Sequence, residues 1–455
     1  MTAQDAGVLG YHDAVRALVE RGRFGIRLGL GRTRALLRGL GDPQDGLRGA
    51  LVAGTNGKGS VLALAGAALR AAGHRVGETP KPHLVTYRER LVVDGHPIDP
   101  TTFARLVGDA LPVAARVARR QGDPTEFELL TALAFRWFAE RGVDVALVEV
   151  GLGGRLDATH AWDGGVAVVT NVELDHMDRL GPTIAAIARE KAAIILRGDR
   201  AVTGASGDAL AVIRRRARRL GVPLVEGTPA PLLGWDRDGI VVTLPGLGET
   251  RVSLRGRHQA ANVAVADALL DALEAAGIAR VPAASRREGY AAARWPGRLE
   301  LLEAPGPHGE ARQVLLDGAH NPSGAAVLAR ALDDLRPHMA AGPLTLMMAV
   351  MADKDVDGIV AGLAGADALR GARIVCTGVA GGRALDPAEL AARWARLAPG
   401  TRPEAVSDPV AALDRALVAG AGPVVVAGSL YLVGLVRSRL VDDPALRDPA
   451  EAPRP

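Results

Sequence analysis

The stretch GALVAGTNGKGSVLALAGAALRAAG (residues 49–73) has the three parts of one βα unit. GALVA is a short apolar run, GTNGKG is a turn with three glycines, and SVLALAGAALRAAG is an Ala- and Leu-rich run of helical length. Such a turn directs backbone N–H groups towards phosphate oxygens, and the N-terminus of the following helix adds a favourable potential. The stretch therefore predicts a phosphate-binding loop made of Gly54, Thr55, Asn56, Gly57, Lys58, Gly59 and Ser60.

Within this loop, Lys58 is expected to reach the outer phosphates and Ser60 a Mg²⁺ ion. The spacing differs from the standard Walker pattern, because Ser60 lies two places after Lys58 and Val52 occupies the position of the first glycine. A plain Gly-rich βα turn without a ligand is the alternative interpretation.

The same strand–turn–helix pattern recurs along the chain. DVALVEVG (144–151) and VAVVTNV (166–172) are apolar, β-branched runs typical of buried parallel strands. Residues 228–256 alternate polar and apolar positions between turn glycines, which predicts a small antiparallel insert. A second series of strands and helices follows RWPGRLELL. We therefore predict an α/β protein with a P-loop-type, doubly wound parallel-sheet domain over residues 1–300, a Rossmann-like α/β domain over 301–440, and a disordered tail over 441–455.

Composition narrows the possible functions. The chain has 455 residues, 48% hydrophobic and 23% charged, with one cysteine and a formal charge of +4. No apolar run reaches membrane-spanning length, and no secretory signal is visible, so a cytoplasmic protein without a membrane partner is expected. The basic run RRRARR (214–219) lacks neighbouring aromatic residues for base stacking, so we predict the solvated face of a helix and no nucleic-acid partner.

Polar residues follow the buried strands where each strand ends. Glu149 ends one strand, and Asp175 and His176 follow the next. Doubly wound sheets bind ligands at this edge, so Ser60, Glu149 and His176 are predicted to hold Mg²⁺. A capping glutamate and a structural histidine are the alternatives. The second domain has further polar residues after its own strands, namely Asp317, His320, Asn321 and Lys354. Polar groups in both domains suggest a cleft that closes on substrates.

Lysine is rare in this chain, with four lysines against 51 arginines. An ammonium is a compact point charge that a planar guanidinium does not replace, so the surviving lysines are candidates for functional positions. Lys58 lies in the predicted loop, Lys81 lies between two prolines, and Lys191 follows Glu190 in a helical run. No nucleophile elbow or Cys/His pair occurs, which favours direct phosphoryl transfer to a substrate carboxylate.

Seven motifs occur in the order found in one enzyme family. They are GTNGKGS, EVGLGGRLDAT, LDHMDRLGPTIAAIAREKA, HQAANVAVA, WPGRLE, DGAHNPSGA and GSLYLVG. Together they strongly resemble the folylpolyglutamate synthase/dihydrofolate synthase family of Mur-type, ATP-dependent amide ligases. The resemblance runs from FGIRLGLGRTRALL near the N-terminus to about residue 436, which is almost the whole chain.

The resemblance implies an activity and a set of roles. ATP would phosphorylate the carboxylate of dihydropteroate or of a folate's terminal glutamate, and the amine of L-glutamate would attack the acyl phosphate. Lys191 would be carbamylated by CO₂ near a second metal ion. By the resemblance, Asn262, Arg298 and Asp317 of this chain would contact ATP. His320, which follows a strand of the second domain, is expected in the same nucleotide site. The substrate-binding positions of bifunctional members would be Thr125, Phe127, Glu128, Leu156, Asp157 and Ala158, so dual activity and a monomer are expected.

Lys81 departs from the family pattern. The usual stretch is Ser-Pro-His-Leu, whose serine binds one of two magnesium ions, whereas this chain has KPHL with Lys81 in the serine's place. An ammonium has only donors and does not bind a cation. Either Lys81 points inwards and takes over part of the second ion's work, with His176 nearby, or it points to solvent. The scarcity of lysine and the restricted backbone between two prolines favour the inward orientation.

Three other functions fit parts of the pattern. A folylpolyglutamate synthase without dihydrofolate synthase activity is one alternative, which the matches to the pteroate-binding positions disfavour. A cell-wall Mur ligase would share GTNGK, but would usually carry its own nucleotide-sugar domain before the loop, and about fifty residues precede the loop here. A non-catalytic nucleotide-binding regulator would not need the second domain's Asp, His and Lys residues.

Overall fold

The computed structural model describes residues 9–22, 25, 27–306, 310–379, 384–418 and 420–450. The chain forms two compact units, the first from residues up to 229, 261–290 and those from 443 onwards, and the second from 230–260 and 291–442. Both units are α/β, so the predicted fold class is confirmed. Over the described ranges, no helix is long and apolar enough to cross a membrane.

The first unit is built on a mixed, mainly parallel sheet. Its described strands are β1 (Gly49–Ala53), β2 (Val76–Thr79), β3 (Val92–Val93), β4 (His96–Pro97), β5 (Val145–Glu149), β6 (Gly165–Val169), β7 (Arg200–Thr203) and β8 (Leu224–Glu226). The strand order is β4-β3-β2-β5-β1-β6-β7-β8, in which the β2–β3 and β3–β4 pairs are antiparallel and the other pairs are parallel. Every residue of β1 and β5 is buried, as the apolar runs predicted.

Helices cover this sheet. They are α1 (Tyr11–Gly22), α2 (Gly31–Gly39), α3 (Lys58–Ala71), α4 (Pro100–Gln121), α5 (Glu126–Arg141), α6 (Met177–Leu180), α7 (Ile184–Ala192), α8 (Gly207–Leu220), α9 (Gln259–Ala275) and α10 (Ala283–Ala292). The basic run 214–219 lies on α8, whose apolar face is buried at Ala209, Ile213 and Ala217. This helix therefore has the predicted amphipathic character.

The described residues of the second unit form two sheets. An antiparallel sheet has the order β11-β10-β9, with β9 (Leu232–Asp236), β10 (Gly239–Leu244) and β11 (Gly248–Val252). The larger sheet consists of β12 (Glu300–Pro305), β13 (Ala311–Leu316), β14 (Thr345–Met348), β15 (Arg373–Cys376), β16 (Arg402–Ala405) and β17 (Val424–Ala427), in the order β12-β13-β17-β14-β15-β16. Its helices are α11 (Pro322–Leu335), α12 (Val356–Ala364), α13 (Pro387–Leu397), α14 (Pro409–Val418) and α15 (Leu430–Leu440).

The division into units differs from the predicted boundary at residue 300. The antiparallel insert exists as predicted, but residues 230–260 and 291–300 group with the second unit. Arg257 forms a two-pronged ion pair with Asp334, at 2.6 and 2.7 Å, and Trp235 Nε1 donates to the Asp334 carbonyl at 3.3 Å. These bonds join residues far apart in the sequence, so no local pattern indicates them, and they tie the insert to the C-terminal end of the helix over residues 322–335.

The end of the chain also differs from the prediction. The sequence predicted a disordered tail from 441, whereas residues 444–446 form a 3₁₀ turn and residues 443–450 group with the first unit. Asp443 caps this turn by accepting a hydrogen bond from the Ala445 amide at 2.9 Å. The Pro-rich composition was misleading here because side chains of the first unit bind the segment's carbonyl groups. Residues 451–455 lie outside the described residues.

Candidate active site

Four parallel strands of the first sheet bring their ends to one edge. In the strand register Val52 of β1 lies beside Glu149 of β5, Thr79 of β2 lies beside Val148, and Ala53 lies beside Val169 of β6. The residues that follow these strands therefore meet at the carboxyl edge of the sheet, where such sheets bind ligands. This edge contains the predicted phosphate loop, Lys81, Glu149 and the segment from Thr170.

The phosphate loop has the backbone that its glycines predict. Gly57 caps α3 with φ of 82°, in the left-handed region that favours glycine. A Cβ atom there would lie 2.4 Å from the Asn262 Oδ1 atom. Asn262, predicted as an ATP contact, is therefore packed against the loop. Only a residue without a side chain allows this approach.

A second segment holds the loop in place. The Asn56 amide donates to Asn171 Oδ1 at 2.8 Å, and its side chain donates to Glu173 at 3.0 Å. Thr170 Oγ1 donates to the Asn56 carbonyl at 2.6 Å. Sequence analysis assigned no role to Thr170, Asn171 and Glu173. The signal that could have identified them is their position directly after β6, next to the loop that follows β1.

Lys58 and Lys191 converge on the start of the loop. Lys58 Nζ donates to the carbonyl groups of Gly54 and Thr55, both at 3.1 Å, and lies 3.8 Å from Glu149 Oε1. Lys191 Nζ donates to the Gly54 carbonyl at 2.8 Å. Burial, with the nearby Lys58 charge, lowers the pKa of Lys191 to about 7, so much of this amine is neutral near neutral pH.

Lys81 points inwards. Its backbone N–H donates to Glu149 Oε2 at 3.0 Å, and its ammonium donates to the Glu149 carbonyl and lies 4.4 Å from the centre of the Phe127 ring. Burial lowers the pKa of Lys81 to about 8, partly offset by Asp157 and Glu149. Three of the four lysines thus lie around Glu149 and Gly54. Lys81, Arg90 and Phe127 also line a cavity of about 10 Å³, room for about one water molecule.

The predicted metal ligands differ in their setting. Glu149 is buried at a strand end, and Ser60 is buried in the first turn of α3. His176 has φ of 48°, and its side chain is 42% exposed and 3.9 Å from Asp175. Within the described ranges no three His, Cys, Asp or Glu side chains form a metal-binding group. The buried oxygens of Glu149 and Ser60 fit Mg²⁺, which commonly uses one or two protein oxygens together with phosphates and water.

Two of the predicted substrate positions have local structural partners. Thr125 and Glu128 form a capping box at the start of α5, with bonds of 3.2 and 2.8 Å. Arg32 Nε also donates to both Glu128 oxygens, each at 3.0 Å. Glu128 is 2% exposed, so this arginine supplies the countercharge that its burial requires. Phe127, between them in sequence, faces Lys81.

Asp157 also has its oxygens occupied. One accepts from the Leu152 amide at 2.8 Å, and the other from the Thr159 amide and hydroxyl at 3.0 and 2.6 Å. The carbonyl of Leu156 accepts from the Gly29 amide at 3.2 Å, and Ala158 is buried. These bonds shape the loop after β5, and the substrate role of Leu156, Asp157 and Ala158 stays a prediction.

The second unit carries the remaining predicted nucleotide contacts. Asp317, directly after β13, accepts from the Leu299 and Ala319 amides, both at 2.9 Å. Burial raises its pKa, and the nearby Arg298 charge opposes that effect. His320 Nδ1 lies 2.7 Å from the Gly318 carbonyl, while Asn321 caps α11. Arg298 and Asp317 therefore lie close together, and their role as ATP contacts stays a prediction.

Comparison with known proteins gives consistent results. Residues 52–228 match the Mur ligase middle domain and residues 303–439 match the dihydrofolate synthetase C-terminal domain. The dihydrofolate synthase/folylpolyglutamate synthase of Bacillus subtilis is 36% identical over 77% of this chain and 82% of its own length. A probable bifunctional folylpolyglutamate synthase/dihydropteroate synthase of Haloferax volcanii is 37% identical over 94% of the chain, which spans about half (50%) of that protein.

A solved structure agrees over nearly the whole fold. Folylpolyglutamate synthase from Mycobacterium tuberculosis, in complex with ADP and AMPPCP, superimposes with a TM-score of 0.81 at 32% identity, over 95% of this chain and 100% of that one. The names of these relatives describe enzymes with small-molecule substrates. The chain belongs to the dihydrofolate synthase/folylpolyglutamate synthase family of Mur-type ATP-dependent ligases.

Proposed function

We propose that the protein joins L-glutamate to dihydropteroate, to the γ-carboxylate of a reduced folate, or to both, while converting ATP to ADP and phosphate. The observation that carries the proposal is the cluster of Lys58, Lys191, Lys81 and Glu149 around the predicted phosphate loop. The relative from M. tuberculosis was solved with ADP and AMPPCP, which supports the loop as the nucleotide site here.

Each step has a group suited to it. The γ-phosphoryl group of ATP would pass to the acceptor carboxylate, and the amine of glutamate would then attack the acyl phosphate and release phosphate. Lys58 would place its charge on the outer phosphates, and the first turn of α3 would present amides to them. In the structure Lys58 is bonded to loop carbonyls. Phosphate oxygens would take the place of these acceptors.

The donor set fits one Mg²⁺ ion. Glu149 and Ser60 supply the buried oxygens that would hold it, and the ion would neutralise charge on the phosphates. Lys81 would supply a further positive charge beside them, in the place where the family has a serine. That the ammonium replaces a second ion, and that His176 acts near it, stay predictions.

Lys191 is suited to carbamylation, because only the neutral amine attacks CO₂ and burial favours that form. The carbamate would place a negative group beside the Gly54 carbonyl, where the ammonium now donates a hydrogen bond. We further propose that the enzyme works as a cytoplasmic monomer without a nucleic-acid or membrane partner.

The decisive experiment measures ADP release with ATP and Mg²⁺, in parallel with dihydropteroate or tetrahydrofolate as acceptor. We expect ADP only when an acceptor and L-glutamate are both present, with labelled glutamate in the product. Activity with both acceptors would support the dual function. Activity with tetrahydrofolate alone would support folylpolyglutamate synthase activity only. Glutamate incorporation into a peptidoglycan precursor, and into neither pterin, would refute the proposal.

A further inference from the structure

The C-terminal segment, residues 443–450, binds to a stretch that begins at the active site. This stretch, the Lys81 loop, comprises residues 80–91 and connects β2 to β3. The segment and the loop both belong to the first unit. The proposed mechanism uses only Lys81 from this pair of elements, so the bonds between them are unexplained by it.

Arg88 is the centre of the contact. It is 3% exposed and donates to the carbonyl groups of Ala445 and Arg447, both at 2.9 Å, and to Asp448 Oδ1 at 3.1 Å. Its guanidinium also donates to the Ile98 carbonyl at 3.1 Å. The segment therefore supplies two carbonyl acceptors and one carboxylate, which is also the countercharge, for a buried guanidinium that is costly to bury unpaired.

Two further bonds extend this contact. Thr86 Oγ1 donates to Asp448 Oδ1 at 2.7 Å. The same Thr86 oxygen lies 2.9 Å from Tyr11 Oη. His12 Nε2 lies 2.6 Å from the Pro449 carbonyl. Asp448 thus joins two side chains of the Lys81 loop, and the following residue binds α1.

The Lys81 loop is rigid because its own backbone is hydrogen-bonded. Contacts at one part of the loop therefore restrict the position of the rest, which reaches the active site. The Glu89 carboxylate accepts from the amides of Leu84, Val85 and Thr86 at 3.1, 2.7 and 2.7 Å. Thr86 and Arg88, the two residues held by the segment, lie within this bonded turn. Fixing them fixes the backbone from Leu84 to Arg90.

One cation before the bonded turn and one at its end line the same small cavity. Lys81 precedes the turn and Arg90 ends it, and both line the small cavity beside Phe127. Arg90 Nε donates to His83 Nδ1 at 2.8 Å, which holds the guanidinium in position. Burial lowers the pKa of His83 to about 3, so the ring is a neutral acceptor.

We propose that the C-terminal segment is a positioning element for the ligase reaction: through Arg88 and Thr86 it fixes the Lys81 loop and thereby places Lys81 and Arg90 at the active site. This inference rests on the proposed function for its kinetic consequence. The phosphate loop is held separately by Asn171 and Glu173. Loss of the segment should therefore affect use of the acceptor and leave nucleotide binding intact.

The test compares two truncations of the full chain. One ends after Asp442 and removes the segment, and its matched control ends after Ala450 and keeps every contact described above. Asp448→Asn is a milder third variant, which keeps the shape of the side chain and removes its charge. For each protein we would measure ADP affinity, kcat and KM for the acceptor, the unfolding midpoint, and amide hydrogen exchange in peptides covering 82–91 and 54–60.

We expect the truncation after Asp442 to lower kcat/KM for the acceptor by about tenfold or more, with ADP affinity within about twofold. In this truncated protein, amide exchange should accelerate in residues 82–91 and not in residues 54–60. Asp448→Asn should change kcat/KM and exchange in the same direction. The control truncation should match the full chain in every measurement. A peptide of residues 443–455, added to the shortened enzyme, should restore part of the activity.

Unchanged acceptor kinetics and unchanged exchange in 82–91 would overturn the inference. So would a loss shared equally by acceptor use, ADP binding and the unfolding midpoint, because that result indicates a purely structural role. If the full chain ligates no glutamate, the proposed function fails. In that case the exchange rates alone test the positioning role. Faster exchange confined to residues 82–91 of the truncated protein would support it, and unchanged exchange would refute it.

Discussion

Lys58 and Lys191 donate to the same carbonyl oxygen, that of Gly54, at 3.1 and 2.8 Å. Burial, with the nearby Lys58 charge, lowers the pKa of Lys191, which is the more buried of the two lysines. The lowered pKa of Lys191 therefore leaves its amine available for modification.

The first prediction concerns Lys191. Lys191→Arg should lower kcat by about two orders of magnitude, because a guanidinium forms no carbamate and keeps a positive charge where a negative group is expected. Steady-state kinetics and NMR of protein incubated with isotope-labelled bicarbonate would check this. Arg189→Lys, on the exposed face of the same helix, is the control. Near-normal turnover by Lys191→Arg would show that the modification is irrelevant here.

A second prediction concerns Lys81. Lys81→Ser restores the family's hydroxyl, so its activity should require a higher Mg²⁺ concentration than the wild type does. Lys81→Met removes the charge and should lower kcat by about tenfold or more while changing ATP affinity less. Mg²⁺ titrations of the rate and nucleotide-binding measurements would test both variants. A crystal structure with nucleotide, two magnesium ions and Lys81 in solvent would contradict the idea.

Third, the buried pair of Arg32 and Glu128 should matter for stability. Arg32→Ala leaves the Glu128 carboxylate buried without its countercharge, so we expect the free energy of unfolding to fall by about 3 kcal/mol. Thr125→Ala, which removes the helix cap, should cost about 1 kcal/mol. Urea unfolding would measure both, with the exposed Arg34→Ala on the same helix as control. An Arg32→Ala protein as stable as the wild type would argue against the pairing.

A fourth prediction uses Asp199, which is buried beside Asp163. Burial raises the pKa of Asp199 to about 7, and the neighbouring carboxylate adds to the effect. The folded chain then binds more protons than the unfolded chain between about pH 4 and pH 7, so this group's contribution to stability falls as pH rises through that window.

Asp199→Asn should remove this pH dependence, because an amide does not titrate there, and should raise the unfolding midpoint above that of the wild type at pH 8. Asp199 Oδ1 is buried without a hydrogen-bond partner among the described residues, and an amide nitrogen in its place could donate to Asp163. Thermal unfolding between pH 5 and pH 8 would test this. Parallel curves for the two proteins across that range would rule out Asp199 as the titrating group.

The sequence by itself determined the βα units, the glycine turn before α3 and the strand-end position of Glu149. These features depend on residues close together in the chain, namely apolar runs, turn glycines and the residue that follows a strand. The scarcity of lysine also singled out Lys58, Lys81 and Lys191 before any contact was known. Local patterns were sufficient because each feature lies within one strand, turn or helix.

Only the tertiary structure decided which distant residues meet. Asn262 packs against Gly57, Asn171 binds Asn56, and Arg32 pairs with Glu128. The C-terminal segment, whose composition predicted disorder, is ordered because the buried Arg88 requires its carbonyl groups and Asp448. Strand order and packing bring these groups together, and neither leaves a periodic signal in the amino-acid sequence.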